Sequence, residues 1–120
     1  MRLKIDLYRR LARVASGPEL EDFRTELVDR FGPPPDVVQR LMVLAEIRIA
    51  AHRWQIHAIN REDQYVVFRY SPGSQIRNLA SLSKGRLRVV DGRSAYLPMD
   101  QRLTQPDQIL DYVKSLLQRS

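Results

Sequence analysis

Over residues 2–14 apolar positions recur at helical spacing: Leu3, Leu7, Leu11 and Val14 share one side, and Arg2, Arg9, Arg10 and Arg13 fall mostly elsewhere. That period predicts an amphipathic helix. No capping residue precedes it, so it reads as a helix that begins inside a longer chain. After the link Ala15-Ser16-Gly17 a second helix is expected over about 18–31, opened by the capping-box pair Ser16 and Glu19 with Pro18 in its first turn. At about 100° per residue, Leu20, Phe23, Leu27 and Phe31 share one side of it, while Asp22, Glu26, Asp29 and Arg30 cluster on the other. Gly32 and the prolines 33–35 stop it, and the short link implies antiparallel packing of the two helices.

A third helix is expected over about 35–53, where Val37, Val38, Leu41, Met42, Leu44, Ala45, Ile47 and Ile49 spread apolar surface over more than half the circumference. Such a helix reads as the most buried of the domain. After Trp54 the period changes to that of strands. Residues 56–59 and 65–70 are β-rich and flank the polar run Asn60-Arg61-Glu62-Asp63-Gln64, which predicts a hairpin. Ile76, Leu79 and Leu82 mark a short helix over 76–82, ended by Ser83-Lys84-Gly85. Residues 86–90 and 94–97 flank Asp91-Gly92, a strong hairpin signal, and the first of these strands should carry one dry and one basic face. Thr104-Gln105-Pro106-Asp107 opens a last helix of about 105–118, with Ile109, Leu110, Val113, Leu116 and Leu117 inward. Without repeats or low-complexity tracts, the pattern predicts one α+β domain spanning 1–120: three N-terminal helices packed with a small antiparallel β-sheet, and a C-terminal helix.

Composition narrows the chemistry. No cysteine is present, which excludes disulfides, thiolate metal sites and cysteine nucleophiles, and no apolar run is long enough to cross a membrane. A cytoplasmic location is the expectation. Net charge is +6, but its distribution says more than its total. Residues 19–29 hold Glu19, Glu21, Asp22, Glu26 and Asp29 against Arg24, whereas residues 69–93 hold Arg69, Arg77, Lys84, Arg86, Arg88 and Arg93 against Asp91. An electrically two-sided domain suits macromolecular partners better than a small-molecule pocket.

No catalytic residue, metal site or cofactor is expected. The histidines, His52 and His57, have no carboxylate partner at ligand or relay spacing, and the glycines form no phosphate-cradling loop. Arg77, Arg86, Arg88 and Arg93, with Tyr70 and Tyr96 nearby, suggest an alternative nucleic-acid-binding role, although arginines also decorate the solvent face of small sheets. The sharper signal is the charged side of the second helix. It could be a solvated face with pairing such as Glu26 to Arg30, worth about 0.2–0.5 kcal/mol. Carboxylates fixed beside a planar guanidinium are also suited to meeting arginines of another protein surface.

The run from Leu7-Tyr8-Arg9-Arg10 to Glu26-Leu27-Val28-Asp29-Arg30-Phe31-Gly32-Pro33 resembles the C-terminal domain of the bacterial transcription-repair-coupling factors, with its helical LYkRi segment and ELxDRFGxxP signature. The likeness is specific over about residues 3–60. One departure is Trp54-Gln55-Ile56, which stands where that family commonly has Leu-Gly-Ile, so the usual glycine cap of the third helix is absent.

The resemblance implies the tail of a large ATP-driven DNA translocase whose helicase motifs and DNA contacts lie in other domains. It implies a non-catalytic, autoinhibitory domain that docks on the UvrB-like N-terminal module of the same protein, masking the surface that recruits UvrA for excision repair until RNA polymerase is engaged. By position match the docking residues are Glu26, Asp29 and Arg30, and the charged helical face adds Asp22 as an outer member.

Overall fold

The computed structural model describes residues 2–100, 102–103 and 105–118. Its elements are α1 (Arg2–Arg13), α2 (Gly17–Phe31), α3 (Asp36–Arg53), β1 (Ile56–Glu62), β2 (Tyr65–Tyr70), α4 (Ile76–Leu82), β3 (Arg88–Val89), β4 (Ser94–Pro98) and α5 (Pro106–Leu117). With an antiparallel four-stranded sheet in the order β1-β2-β4-β3, the chain is α+β. It divides into two compact units, Met1–Ile49 and Ala50–Ser120, and the boundary falls inside α3.

In the first unit, Leu11 and Val14 meet Leu20, Phe23 and Leu27 of α2 and Met42 and Ala45 of α3 in one buried cluster. The sequence sets the start of α2 locally. Ser16 is extended, its Oγ accepts the Glu19 N–H at 3.3 Å, and the Glu19 carboxylate accepts the Ala15 N–H at 3.1 Å, one residue further back than the simple capping box places it. Phe31 departs from the expected stripe: as the last helical residue it runs past the cluster and is 48% exposed. The third helix is likewise not covered all round, because Val37 and Leu44 are exposed while Met42, Ala45 and Ile47 are buried.

Gly32 shows why α2 stops where it does. Its N–H donates to Val28 O at 2.8 Å, while its φ of 77° and ψ of −168° lie in a region that is essentially glycine-only. Pro33 disfavours helical ψ in the residue before it, and the chain reversal requires positive φ, so one residue must satisfy both. A Cβ at Gly32 would meet nothing within 4 Å, so a substitution feels backbone strain alone. Gly32→Ala is expected to cost about 1–3 kcal/mol in urea unfolding, whereas Gly17→Ala, in the first turn of α2 at ordinary φ, should be near neutral. Equal effects at the two sites would show that the reversal is not strained.

In the second unit, β2 is central and pairs with β1 and β4. Val66, Phe68 and Tyr70 face one way with Ala95 and Leu97 of β4, and all five are buried. Val113, Leu116 and Leu117 of α5 and Ile76 and Leu79 of α4 supply the unit's helical apolar surface. Leu82, expected inward, is 38% exposed.

Both hairpins differ from expectation. The polar run 60–64 is mostly strand: Arg61 pairs with Val66 and Glu62 with Tyr65, leaving Asp63-Gln64 as the turn with Asp63 at φ 53°. An edge strand tolerates such polar residues, which hid it. Conversely β3 shrinks to two residues, because the Asp91 carboxylate accepts the N–H groups of Arg93 (2.7 Å) and Ser94 (2.8 Å), and the Ser83 hydroxyl accepts that of Leu87 (3.0 Å). At the end of α3, Gln55 takes φ 58° without glycine. Hydrogen bonds hold that corner: the Trp54 indole donates to Leu117 O at 2.8 Å, the Ser74 hydroxyl to Trp54 O, and the Ser71 N–H to Gln55 O at 3.0 Å. Thr104, expected to help open α5, lies outside the described residues. The Gln105 N–H donates to the Gln108 side chain at 3.1 Å there.

Candidate functional site

The charged side of α2 carries Glu19, Asp22, Glu26, Asp29 and Arg30, and the structure sorts them. Glu26 does not pair with Arg30; it forms an ion pair with Arg10 of α1. The Arg10 guanidinium also lies 5.4 Å from the centre of the Phe23 ring. Glu19 is held by the Ala15 N–H, and Arg24 bridges Glu21 at 3.0 Å and Glu46 of α3 at 2.8 Å. With Glu46 only 14% exposed, that second bond fastens α2 to α3. Of the five carboxylates of residues 19–29, three are therefore occupied.

Asp22 and Asp29 remain. Both are exposed, and among the described residues neither has an ion-pair or hydrogen-bond partner. Seven residues apart, they lie two turns along one side of the helix, about 10 Å of axial rise. Asp22 borders a shallow depression of about 450 Å³ with Arg10, Glu19, Phe23 and Glu26. Beyond Asp29, Arg30 is exposed with its guanidinium 5.7 Å from the centre of the half-exposed Phe31 ring. The surface thus offers two unpaired carboxylates, a third on loan to Arg10, and a guanidinium over an aromatic ring. Such a set can pair with guanidinium groups and stack on an aromatic of a partner.

Sequence reasoning singled out Glu26, Asp29, Arg30 and Asp22 but missed Arg10, sixteen residues away on another helix. Its signal was its position on the α1 face next to Leu7, Leu11 and Val14, which only the packing of α1 against α2 converts into a contact.

Of the alternative basic set, Arg86 and Arg88 line one groove of the second unit, with Lys84 and Arg102. Arg77 and Arg93 do not line it. Tyr70 cannot stack on a base: it is 6% exposed and its hydroxyl donates to Asp91 O. Burial pushes its pKa up, Asp91 nearby adds to the rise, and Arg77 opposes it. His52 and His57 are exposed, and among the described residues no three His, Asp or Glu side chains converge as metal ligands.

The family model described as the TRCF domain matches residues 1–80. A transcription-repair-coupling factor from Rickettsia conorii is 26% identical over 118 residues, 98% of this chain and 10% of that protein. The Bacillus subtilis transcription-repair-coupling factor is 33% identical over 63 residues, 52% of this chain and 5% of its own length. This chain therefore spans about a tenth or less of these relatives. Among solved structures, a C-terminal domain of transcription-repair coupling factor superposes with a TM-score of 0.77 at 20% identity, covering 97% of this chain and 77% of that one. At that identity the superposition speaks for the fold.

Proposed function

Because this chain belongs to the TRCF domain family, we propose that it is a non-catalytic, autoinhibitory interaction domain of a DNA-translocating transcription-repair-coupling factor. In this reading it docks through the outer face of α2 on the UvrB-like N-terminal module of the same protein, hiding the surface that recruits UvrA. Engagement of RNA polymerase releases it. ATP hydrolysis and the duplex contacts of translocation belong to other parts of the protein, which works in the cytoplasm.

The observation that carries the reading is the pair of carboxylates, Asp22 and Asp29, that have no partner among the described residues and lie beside Arg30 and Phe31. Unpaired charges aligned on one rigid element complement guanidinium groups on a partner and steer their approach. Glu26 fits the same role once the partner's cation displaces Arg10, an exchange of one exposed ion pair for another that costs little.

Titration calorimetry of this chain against the purified UvrB-like module tests the proposal. Binding is expected at low salt and should weaken as ionic strength rises to about 0.3 M, where screening shortens the reach of exposed charges. Tethering raises effective concentration, so a fusion of the two parts is the stricter arm. If neither the free nor the fused pair associates, the docking reading is wrong.

A further inference from the structure

The sheet of the second unit has a second face, which the docking reading leaves unused. Strand alternation puts Tyr65, Val67 and Arg69 of β2 on it. The register adds Tyr96 opposite Val67, Pro98 opposite Tyr65, and Arg88 of β3 opposite Tyr96. This face is partly open: Tyr65 is 41% exposed, Arg69 and Arg88 are exposed and Tyr96 is half-buried, while Val67 between them is buried. The two tyrosine rings lie 5.7 Å apart, tilted by 60°, on the two central strands.

Arg88 also belongs to the adjoining groove. That groove, of about 660 Å³, is lined by Lys84, Arg86, Arg88 and Arg102 against the single carboxylate of Asp100. Asp100 is engaged by Arg102, through an ion pair at 3.8 Å and the Arg102 N–H at 2.9 Å. Among the described residues Lys84, Arg86 and Arg88 have no carboxylate within ion-pair distance. A row of unneutralised cations therefore runs directly into an aromatic platform.

We propose that this face and groove bind single-stranded nucleic acid, with bases stacking on Tyr96 and Tyr65 and the phosphate backbone lying along Lys84, Arg86 and Arg88. Charge complementarity selects a polyanion. The tyrosines select one with exposed aromatic faces, since aromatics on the central strands of a four-stranded antiparallel sheet offer flat platforms to unstacked bases. A duplex hides its base faces, and an acidic protein has no use for the tyrosines. This site lies wholly within the second unit and stands or falls independently of the α2 face.

The test is fluorescence anisotropy with a labelled dT oligonucleotide, the matching rU strand and a duplex, using the whole chain. Both single strands are expected to bind at least about tenfold more tightly than the duplex if stacking contributes its usual share. The slope of log K against log salt should be about −2 for three neutralised phosphates, and Arg86→Gln with Arg88→Gln should bring it near −0.7. Tyr65→Leu and Tyr96→Leu should each weaken binding about fivefold or more with the slope unchanged.

Trp54 fluorescence checks folding, since its indole is fastened to Leu117. If Tyr96→Leu unfolds, the more exposed Tyr65 still decides the matter. The preferred strand identifies DNA or RNA as the ligand. The proposal is overturned if no strand binds at low salt, if the duplex binds as well, or if folded Tyr65→Leu binds like the parent, which would mark the groove as a patch for acidic partners.

Discussion

Replacing Phe68 with alanine is expected to lower the stability of the chain by about 3–5 kcal/mol, the largest single-residue loss the structure implies. Phe68 is 0% exposed on the central strand and pairs with Ile59 on one side and Ala95 on the other. The small, fully buried Ala95 opposite cannot expand into the space left behind, and neither can the backbone of a strand bonded on both edges. Both the transfer and the cavity contributions should therefore be felt in full. Phe68→Leu, which keeps most of the volume, should lose only about 1–1.5 kcal/mol. Urea unfolding followed by Trp54 fluorescence measures both. An alanine effect below about 1 kcal/mol would mean that the sheet does not pack around this ring.

Loss of that size is a large part of the 5–15 kcal/mol on which a typical domain stands. The prediction reflects how burial is divided along β2, where Val66, Val67, Phe68 and Tyr70 are all at or below 6% exposure. Period-two alternation places Val66, Phe68 and Tyr70 together on the packed face. Alternation alone does not account for Val67, on the opposite face, which is 1% exposed between Tyr65, Arg69 and Tyr96.

The same division between local and tertiary causes explains what else was legible. Helix ends that depend on neighbouring residues could be read directly: Ser16 and Pro18 start α2, Gly32 before Pro33 ends it, and Ile76 and Leu82 bound α4 as expected. The features that escaped depend on residues distant in sequence. Asn60, Arg61 and Glu62 join β1 because Val67, Val66 and Tyr65 stand opposite them, and Gln55 accepts positive φ because Trp54 and Ser71 are bonded around it. In α3, apolar residues over more than half the circumference suggested the most buried helix of the domain. Leu44 instead lies 43% exposed in an apolar depression with Tyr8 and Leu41.

For the candidate site, helical geometry grouped Asp22, Glu26, Asp29 and Arg30 on one face but did not give their electrostatic state. Counting five acids against Arg24 treated them as equivalent. The structure shows Arg24 spent on Glu21 and Glu46, Glu26 held by Arg10, and Glu19 by a backbone N–H. What distinguishes Asp22 and Asp29 is the absence, among the described residues, of any such partner, and no pattern along the chain records an absence of that kind.

That sorting decides which reversal tests docking cleanly. Asp29→Arg is expected to weaken association with the UvrB-like module by about thirtyfold or more, because it replaces attraction by repulsion toward a cationic partner and leaves that partner's charge unpaired. Adding Asp22→Arg should bring binding below detection. Asp29 lies in the last turn of α2, where the helix dipole favours a cation by about 0.3–1 kcal/mol, so its reversal should leave the melting temperature unchanged or slightly raised. Glu26→Arg is a poorer probe. It sets a second guanidinium against Arg10 and so disturbs the α1–α2 contact as well as the surface. Calorimetric titration with parallel melting curves separates the two effects. If the folded Asp22→Arg/Asp29→Arg variant binds within about twofold of the parent, a difference of only about 0.4 kcal/mol, then α2 is not the docking element and another surface holds the domain in place.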